Sequence, residues 1–355
     1  MNLTNTSLTI QKASSTRINE IDFDNLVFGV NFTDHMFECD FENGHWGNPT
    51  IKPYGNLTMS PAAKVFHYGQ AVFEGMKAYK DADGSVFLFR PEDNLKRINI
   101  SCKRMAIPEF PEDVFMEALY TLIDMDRDWV PKAEGSALYI RPFVIATENC
   151  VSAAASTDYK FIIILSPVNA YYSGELKVVI AENYSRAMDG GVGFAKAAGN
   201  YGAQFYPTNL AKEKGYRQVI WTDSKEHKYL EEAGTMNVFF RIGDTLITAP
   251  TSDRILDGIT RKSIVRLAKH INVPVEVRPI TVDEIVEAHK DGTLLEIFGS
   301  GTAAVISPVS AFSYQDQEFR LPEVTDSYAR LMKKELLNIQ YNKSEDPFGW
   351  RQKVG

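Results

Sequence analysis

The chain has 355 residues, 44% hydrophobic and 24% charged, and its 46 acidic against 38 basic side chains leave a net charge of -8. That length exceeds what one core usually reaches, so two domains are expected. The acidic balance argues against a general nucleic-acid or anionic-membrane surface and directs attention to small-molecule chemistry. Cys39, Cys102 and Cys150 are too few and too scattered for a disulfide framework or a zinc site. Met1 to Glu20 has no apolar signal core, and no run approaches the length of a membrane span. A cytoplasmic protein with no metal is the expectation.

From Asn25 to Met36, the residues Leu26, Val27, Phe28, Val30 and Phe32 predict a strand-like stretch, with turn-rich sequence following to Tyr54. The string from Phe66 to Lys77 mixes aromatics with glycine and suits the lining of a pocket. Val86 to Phe89 reads as a strand after an Asp83-Gly84 hairpin turn. Arg90-Pro91 opens a helix that aligns Leu95, Ile98, Cys102 and Met105, with Arg97 beside that face but not on it. A second helix runs from Glu112 to Asp126. Leu138 to Thr147 reads as a strand with Arg141 unusually in its midst. Phe161 to Leu165 is apolar on consecutive positions, which predicts a strand covered on both faces.

Turn chemistry between Ser166 and Gly174 marks a domain boundary. The expected division is residues 1–168, an interdomain loop 169–178, and 179–355. In the second part, Lys177 to Ala181 and Gln218 to Thr222 read as strands. A helical segment ends at Gly215, with Pro207 implying a kink or a late start. Met236 to Ile242 and Thr245 to Thr248 form a hairpin around Gly243-Asp244. A helix follows Asp257-Gly258-Ile259-Thr260, another spans Thr281 to His289, and a last one carries Tyr328, Leu331, Met332, Leu336 and Ile339. Leu294 to Phe298 and Val305 to Val309 are strands. Helices and strands mix without the strict alternation of a doubly wound fold, so the class is α+β.

The chain is organised around Gly190-Gly191-Val192-Gly193-Phe194-Ala195-Lys196-Ala197-Ala198-Gly199-Asn200-Tyr201. A phosphate-binding Walker loop needs Gly before the lysine and Ser or Thr after it, and alanines hold both places. A dinucleotide fingerprint needs a third glycine where Lys196 itself stands. From this stretch alone Lys196 reads first as a solvated loop lysine, and it is the residues elsewhere in the chain that favour a working amine. An amine that holds pyridoxal phosphate needs amides and cations for the phosphate, a carboxylate for the pyridine nitrogen, a donor for the ring hydroxyl and an anion site for the substrate carboxylate. Gly258-Ile259-Thr260 and Gly299-Ser300-Gly301-Thr302-Ala303 offer amides, and Glu231-Glu232-Ala233-Gly234-Thr235 offers carboxylates.

Six motifs occur in order: Phe73-Glu74-Gly75, Tyr139-Ile140-Arg141-Pro142, Lys196-Ala197-Ala198-Gly199-Asn200-Tyr201, Glu232-Ala233-Gly234-Thr235-Met236-Asn237, Gly258-Ile259-Thr260-Arg261 and Gly299-Ser300-Gly301-Thr302-Ala303. The series resembles the branched-chain amino acid aminotransferases, a class IV aminotransferase family of fold type IV pyridoxal phosphate enzymes, from about Phe28 to Tyr341. The resemblance implies a two-domain α+β fold, with a smaller N-terminal α/β domain and a C-terminal domain built on a mixed barrel-like sheet. It implies that Lys196 holds pyridoxal 5'-phosphate covalently and moves the substrate proton. It further implies that Tyr201 serves the ring hydroxyl, Glu232 the pyridine nitrogen, and Arg97, Ile259, Thr260 and Thr302 the phosphate, with Thr235 also at the cofactor. Thr302 and Ala303 would take the substrate carboxylate. Phe28, Tyr68, Phe73, Tyr139 and Tyr171 would form the apolar pocket, and Arg141 with Tyr139 would receive the distal carboxylate of glutamate.

The activity so implied is reversible transamination of L-leucine, L-isoleucine and L-valine with 2-oxoglutarate, by a homodimer. A D-amino acid aminotransferase or an aminodeoxychorismate lyase of the same fold type is the nearest rival, and a non-catalytic nucleotide-binding protein is a rival of another class.

Overall fold

The computed structural model describes residues 7–169 and 175–355. These form two compact units. The first holds residues 7–169 together with Ala195–Gly199 and Asn338–Gly355; the second holds residues 175–194 and Asn200–Leu337.

The first unit is built on a sheet of ten strands among the described residues, in the order Thr9–Ile10, Thr50–Pro53, His35–Glu42, Tyr159–Val168, Ala137–Ala146, Met76–Lys80, Val86–Phe89, Arg351–Val354. His45–Trp46 and Ala71–Phe73 pair at its side. Ladders are antiparallel except where Thr9–Ile10 meets Thr50–Pro53. The helices Pro91–Arg104 and Glu112–Met125 cover one face. Leu95, Ile98 and Cys102 from the first, with Phe115, Leu119 and Leu122 from the second, pack on Phe161, Ile163 and Leu165. Phe161 stacks on Phe110 at 4.0 Å and meets Phe37, Trp46 and Phe115 edge-on. Each such aromatic pair adds about 0.5–1.5 kcal/mol to what burial alone contributes. Ile162, on the opposite face by strand alternation, is also fully buried, as the consecutive apolar run predicts.

The stretch 26–32 is not a strand. Gly29 takes φ 71° in a turn, Val27 and Val30 point outward, and pairing begins only at His35–Glu42. That strand escapes a hydrophobicity reading because Glu38 and Asp40 interrupt it; both carboxylates pair with Lys160 of the neighbouring strand.

The second unit carries a mixed sheet, again of ten strands among the described residues. Its order is Val275–Val277, Thr245–Thr248, Met236–Ile242, Leu230–Ala233, Gln218–Thr222, Lys177–Ile180, Ala311–Tyr314, Gln317–Arg320. Leu294–Gly301 pairs with Met236–Ile242 and with Val305–Pro308, so the sheet branches. Among the described residues it is open, with no pairing that closes it into a barrel. Val282, Ile285 and Ala288 of the helix Val282–Lys290 join the core around Phe240, Ile297 and Phe312. Pro207 stands in the first turn of the helix Phe205–Glu213, where its missing N–H costs nothing. Among the described residues no helix is long and apolar enough to cross a membrane.

Candidate active site

Lys196 is fixed through its main chain in the first unit. Its N–H donates to Ser101 Oγ at 2.9 Å, its carbonyl accepts from Phe73 N–H at 3.1 Å, and Ala198 N–H donates to the Ala71 carbonyl. Val72 and Ala197 form a bridge, so the lysine segment lies against the edge strand Ala71–Phe73 although more than a hundred residues separate them in sequence. Small side chains are what permit this: Ala195 and Ala197 are buried beside it. The half-buried amine stands 4.6 Å from the centroid of the Phe73 ring.

Next to it lies a buried ion pair. Arg97 Nε donates to Glu74 Oε1 at 2.6 Å and its NH2 donates to Oε2 at 2.9 Å. Asn94 adds a third donor to Oε2 at 2.7 Å. Burial pushes the Glu74 pKa up, but the charge and hydrogen bonds of Arg97, helped by Lys196 and Asn94, outweigh it and hold the carboxyl below its ordinary value. Arg97 is 7% exposed, whereas helical periodicity leaves it beside the buried face. The compensation comes from Glu74, whose place in the apolar string Ala71 to Met76 is the available signal.

On the sheet face away from the helices, Phe28, Phe73, Tyr139 and Arg141 come together. Phe28 meets Tyr139 edge-on at 4.9 Å, and the Arg141 guanidinium lies 4.7 Å from the Phe73 ring and 5.3 Å from that of Tyr139. Arg141 NH2 donates to Tyr139 Oη at 3.0 Å, and its buried Nε has no hydrogen-bond partner among the described residues. A Cβ on Gly75 would overlap the Tyr139 hydroxyl, so glycine is required there. Tyr68 stands apart from this group: it is 43% exposed and its hydroxyl donates to the Val151 carbonyl. Tyr171 lies outside the described residues.

In the second unit Glu232 is held from three directions. Oε1 accepts from Asn237 Nδ2 at 2.9 Å and from Leu256 N–H at 3.1 Å, and Oε2 pairs with Arg186 at 2.5 Å. Arg186 is 6% exposed at its side chain and also donates to the carbonyls of Gly193 and Arg254. Nothing in the sequence around Arg186 signals this role, because its partner lies forty-six residues on. Asn237 Nδ2 also donates to the Leu256 carbonyl, and a Cβ on Gly258 would strike Asn237 Oδ1. The same network therefore seats the N-cap of the helix Ile259–His270. Ile259 and Thr260 are buried in its first turn, where amides have no acceptor within the helix and the dipole favours an anion.

Thr302 and Ala303 are half-buried in the turn joining Leu294–Gly301 to Val305–Pro308. Val305 closes that turn with φ 59°, a left-handed conformation that is costly for a β-branched residue. Tyr201 is half-buried in the short helix Gly199–Gly202, and Thr235 is exposed in the tight turn after Gly234. The first unit offers an amine beside a buried arginine, and the second, by itself, offers a helix N-terminus and a carboxylate anchored by cation and amides; these are the donor types that a phosphate-bearing pyridine requires. The residues present fit pyridoxal phosphate.

This is the side-chain equipment of an aminotransferase, and comparison with known proteins gives the family. The model for amino-transferase class IV matches residues 71–312. A branched-chain-amino-acid aminotransferase 2 of Bacillus subtilis is 46% identical over 96% of this chain and 95% of its own length. A probable branched-chain-amino-acid aminotransferase of Staphylococcus aureus is 48% identical over 92% of each. Among solved structures, the branched-chain aminotransferase of Thermoproteus uzoniensis with norvaline superposes with a TM-score of 0.74 at 22% identity, covering 90% of this chain and all of that one. The Escherichia coli branched-chain enzyme gives 0.71 at 24% identity, covering 91% and 99%. These structures share the fold, which is fold type IV. The chain belongs to the class IV aminotransferase family.

Proposed function

We propose that this chain transaminates L-leucine, L-isoleucine and L-valine with 2-oxoglutarate, reversibly, giving branched-chain 2-oxo acids and L-glutamate. What supports this reading above all is the group on the first sheet: a half-buried lysine, an apolar wall of Phe28, Phe73 and Tyr139, and one arginine whose buried Nε has no hydrogen-bond partner among the described residues. The wall suits an aliphatic side chain, and Arg141 suits the distal carboxylate of glutamate in the other half-reaction.

Pyridoxal phosphate, when bound, supplies the electron sink that makes the substrate α-proton labile. Lys196 would hold it and, as the free amine, would carry the proton that leaves the substrate α-carbon. Glu232, fixed by Arg186, Asn237 and the Leu256 amide, keeps a negative charge ready for the pyridine nitrogen. Tyr201 donates to the ring hydroxyl. Arg97, Ile259, Thr260 and Thr302 hold the phosphate, with Thr235 close by. Thr302 and Ala303 present amides to the substrate carboxylate. Homodimeric assembly and a cytoplasmic setting belong to it as well, and sedimentation of the purified protein checks the first.

The visible absorption of the holoenzyme tests the function. L-Leucine should bleach the band and 2-oxoglutarate should restore it. Lys196→Ala should lose at least about 10³-fold in turnover with cofactor added, the order expected when a catalytic acid-base group is removed. A band that ignores L-leucine and responds to a D-amino acid would refute the substrate assignment.

A further inference from the structure

We propose that a cavity of about 280 Å³ within the second unit binds a small flat organic cation that donates N–H bonds, an amidinium or guanidinium on a short apolar body. Leu230, Ile255, Pro250 and Pro279 line it, with Glu231 and Arg254 as its charged groups. Glu231 and Glu232 are neighbours on the strand Leu230–Ala233, so their side chains leave on opposite faces. The cavity is therefore separate from the carboxylate assigned to the cofactor.

The Glu231 side chain is 2% exposed. One oxygen accepts from Arg254 Nε, while Oε2 is buried with no hydrogen-bond partner among the described residues. Buried polar atoms of native proteins are nearly always satisfied, and an unmet carboxylate oxygen is costly. A ligand N–H is the group that answers it. The sign of the ligand follows from the surrounding charges. Arg254 is shared between Glu231 and Asp189, and the next charges acting on Glu231 are Arg186 and Asp223, so three carboxylates stand against two guanidinium groups. Burial also raises the Glu231 pKa, and Arg254 only partly offsets it, as expected of a carboxylate still short of a donor. The cavity holds far more than one water, whose share of volume is about 30 Å³, and its largely apolar wall suits an apolar body better than a water cluster.

The test is a calorimetric and ligand-observed NMR titration of the holoenzyme with benzamidinium, which does not condense with an aldehyde as an amine does. Benzoate, equal in size and opposite in charge, is the control. Saturable binding of benzamidinium alone is expected. Glu231→Gln should weaken it at least tenfold, and Ser252→Phe, which sets a ring into the cavity from its exposed rim, should do the same without touching the carboxylate. Absence of saturable binding, equal binding of benzoate, or affinity unchanged by the substitutions would overturn the proposal. Should Glu231→Gln not fold, Ser252→Phe decides it.

Discussion

Glu74, with no exposed side-chain surface, grips the guanidinium of Arg97 at two points, 2.6 Å and 2.9 Å. The arginine proposed to hold phosphate is thereby fixed in direction before any ligand arrives. Glu74→Gln should cost about 3–5 kcal/mol in denaturant unfolding, the range for breaking one side of a buried pair. It should also weaken cofactor affinity, read by titration of the apoenzyme.

The same pair contributes to the pH dependence of stability. Because the folded Glu74 pKa lies below its ordinary 4.5, the charged form is favoured by folding. Its contribution is complete above that value and is lost as the pH falls through the lower folded pKa. Wild type should therefore lose more stability than Glu74→Gln between neutral pH and pH about 3. Parallel losses would show that Glu74 is not responsible.

In the proposed mechanism Arg186 acts on the cofactor through Glu232, with which it pairs. Arg186→Leu removes the ion pair from the buried carboxylate, which keeps the N–H donors of Asn237 and Leu256. A fall in kcat of about tenfold or more with little change in the leucine KM is expected, together with slower recovery of the visible band. Arg186→Lys should restore part of the rate. A merely structural role would lower stability and leave the kcat of the folded fraction intact.

Gly258→Ala would drive a methyl group into Asn237 Oδ1. Since Asn237 also holds Glu232, one added carbon should disturb both the helix N-terminus and the carboxylate. Cofactor affinity should drop about tenfold or more, measured by equilibrium dialysis, whereas Gly243→Ala in a distant hairpin turn should leave it unchanged.

Arg141→Met should separate the two half-reactions. Loss of a charge-assisted bond is worth about 1.5–3 kcal/mol, or about 10–150-fold, and should appear in the KM for glutamate and 2-oxoglutarate. The leucine half-reaction, which needs only the apolar wall, should change several-fold at most. Single-turnover kinetics with each substrate measures the two effects independently.

Long periodic elements were readable from the residues alone. The helix Pro91–Arg104 follows the Arg90-Pro91 opening, and the hairpin of Met236–Ile242 with Thr245–Thr248 follows its Gly243-Asp244 turn. What escaped was set by partners distant in sequence. Arg97 is buried because Glu74 neutralises it, and the strand His35–Glu42 is stable with two outward carboxylates because Lys160 answers both. The six motifs brought Lys196, Glu232 and the Gly258 turn to attention. Arg186 stayed hidden, since an arginine between Ser185 and Ala187 looks like any solvated one until its contacts are seen.

The first unit's sheet takes its outer strand, Arg351–Val354, from the far end of the chain, paired with Val86–Phe89. On the ribosome this sheet cannot be completed until residues 351–354 have emerged, whereas the second unit uses no described residue beyond Leu337 and can close earlier. During synthesis the Val86–Phe89 strand waits with its edge unpaired, exposed to other nascent chains. Yield of active protein should therefore depend on elongation speed and on chaperones that shield strand edges more than its final stability would suggest.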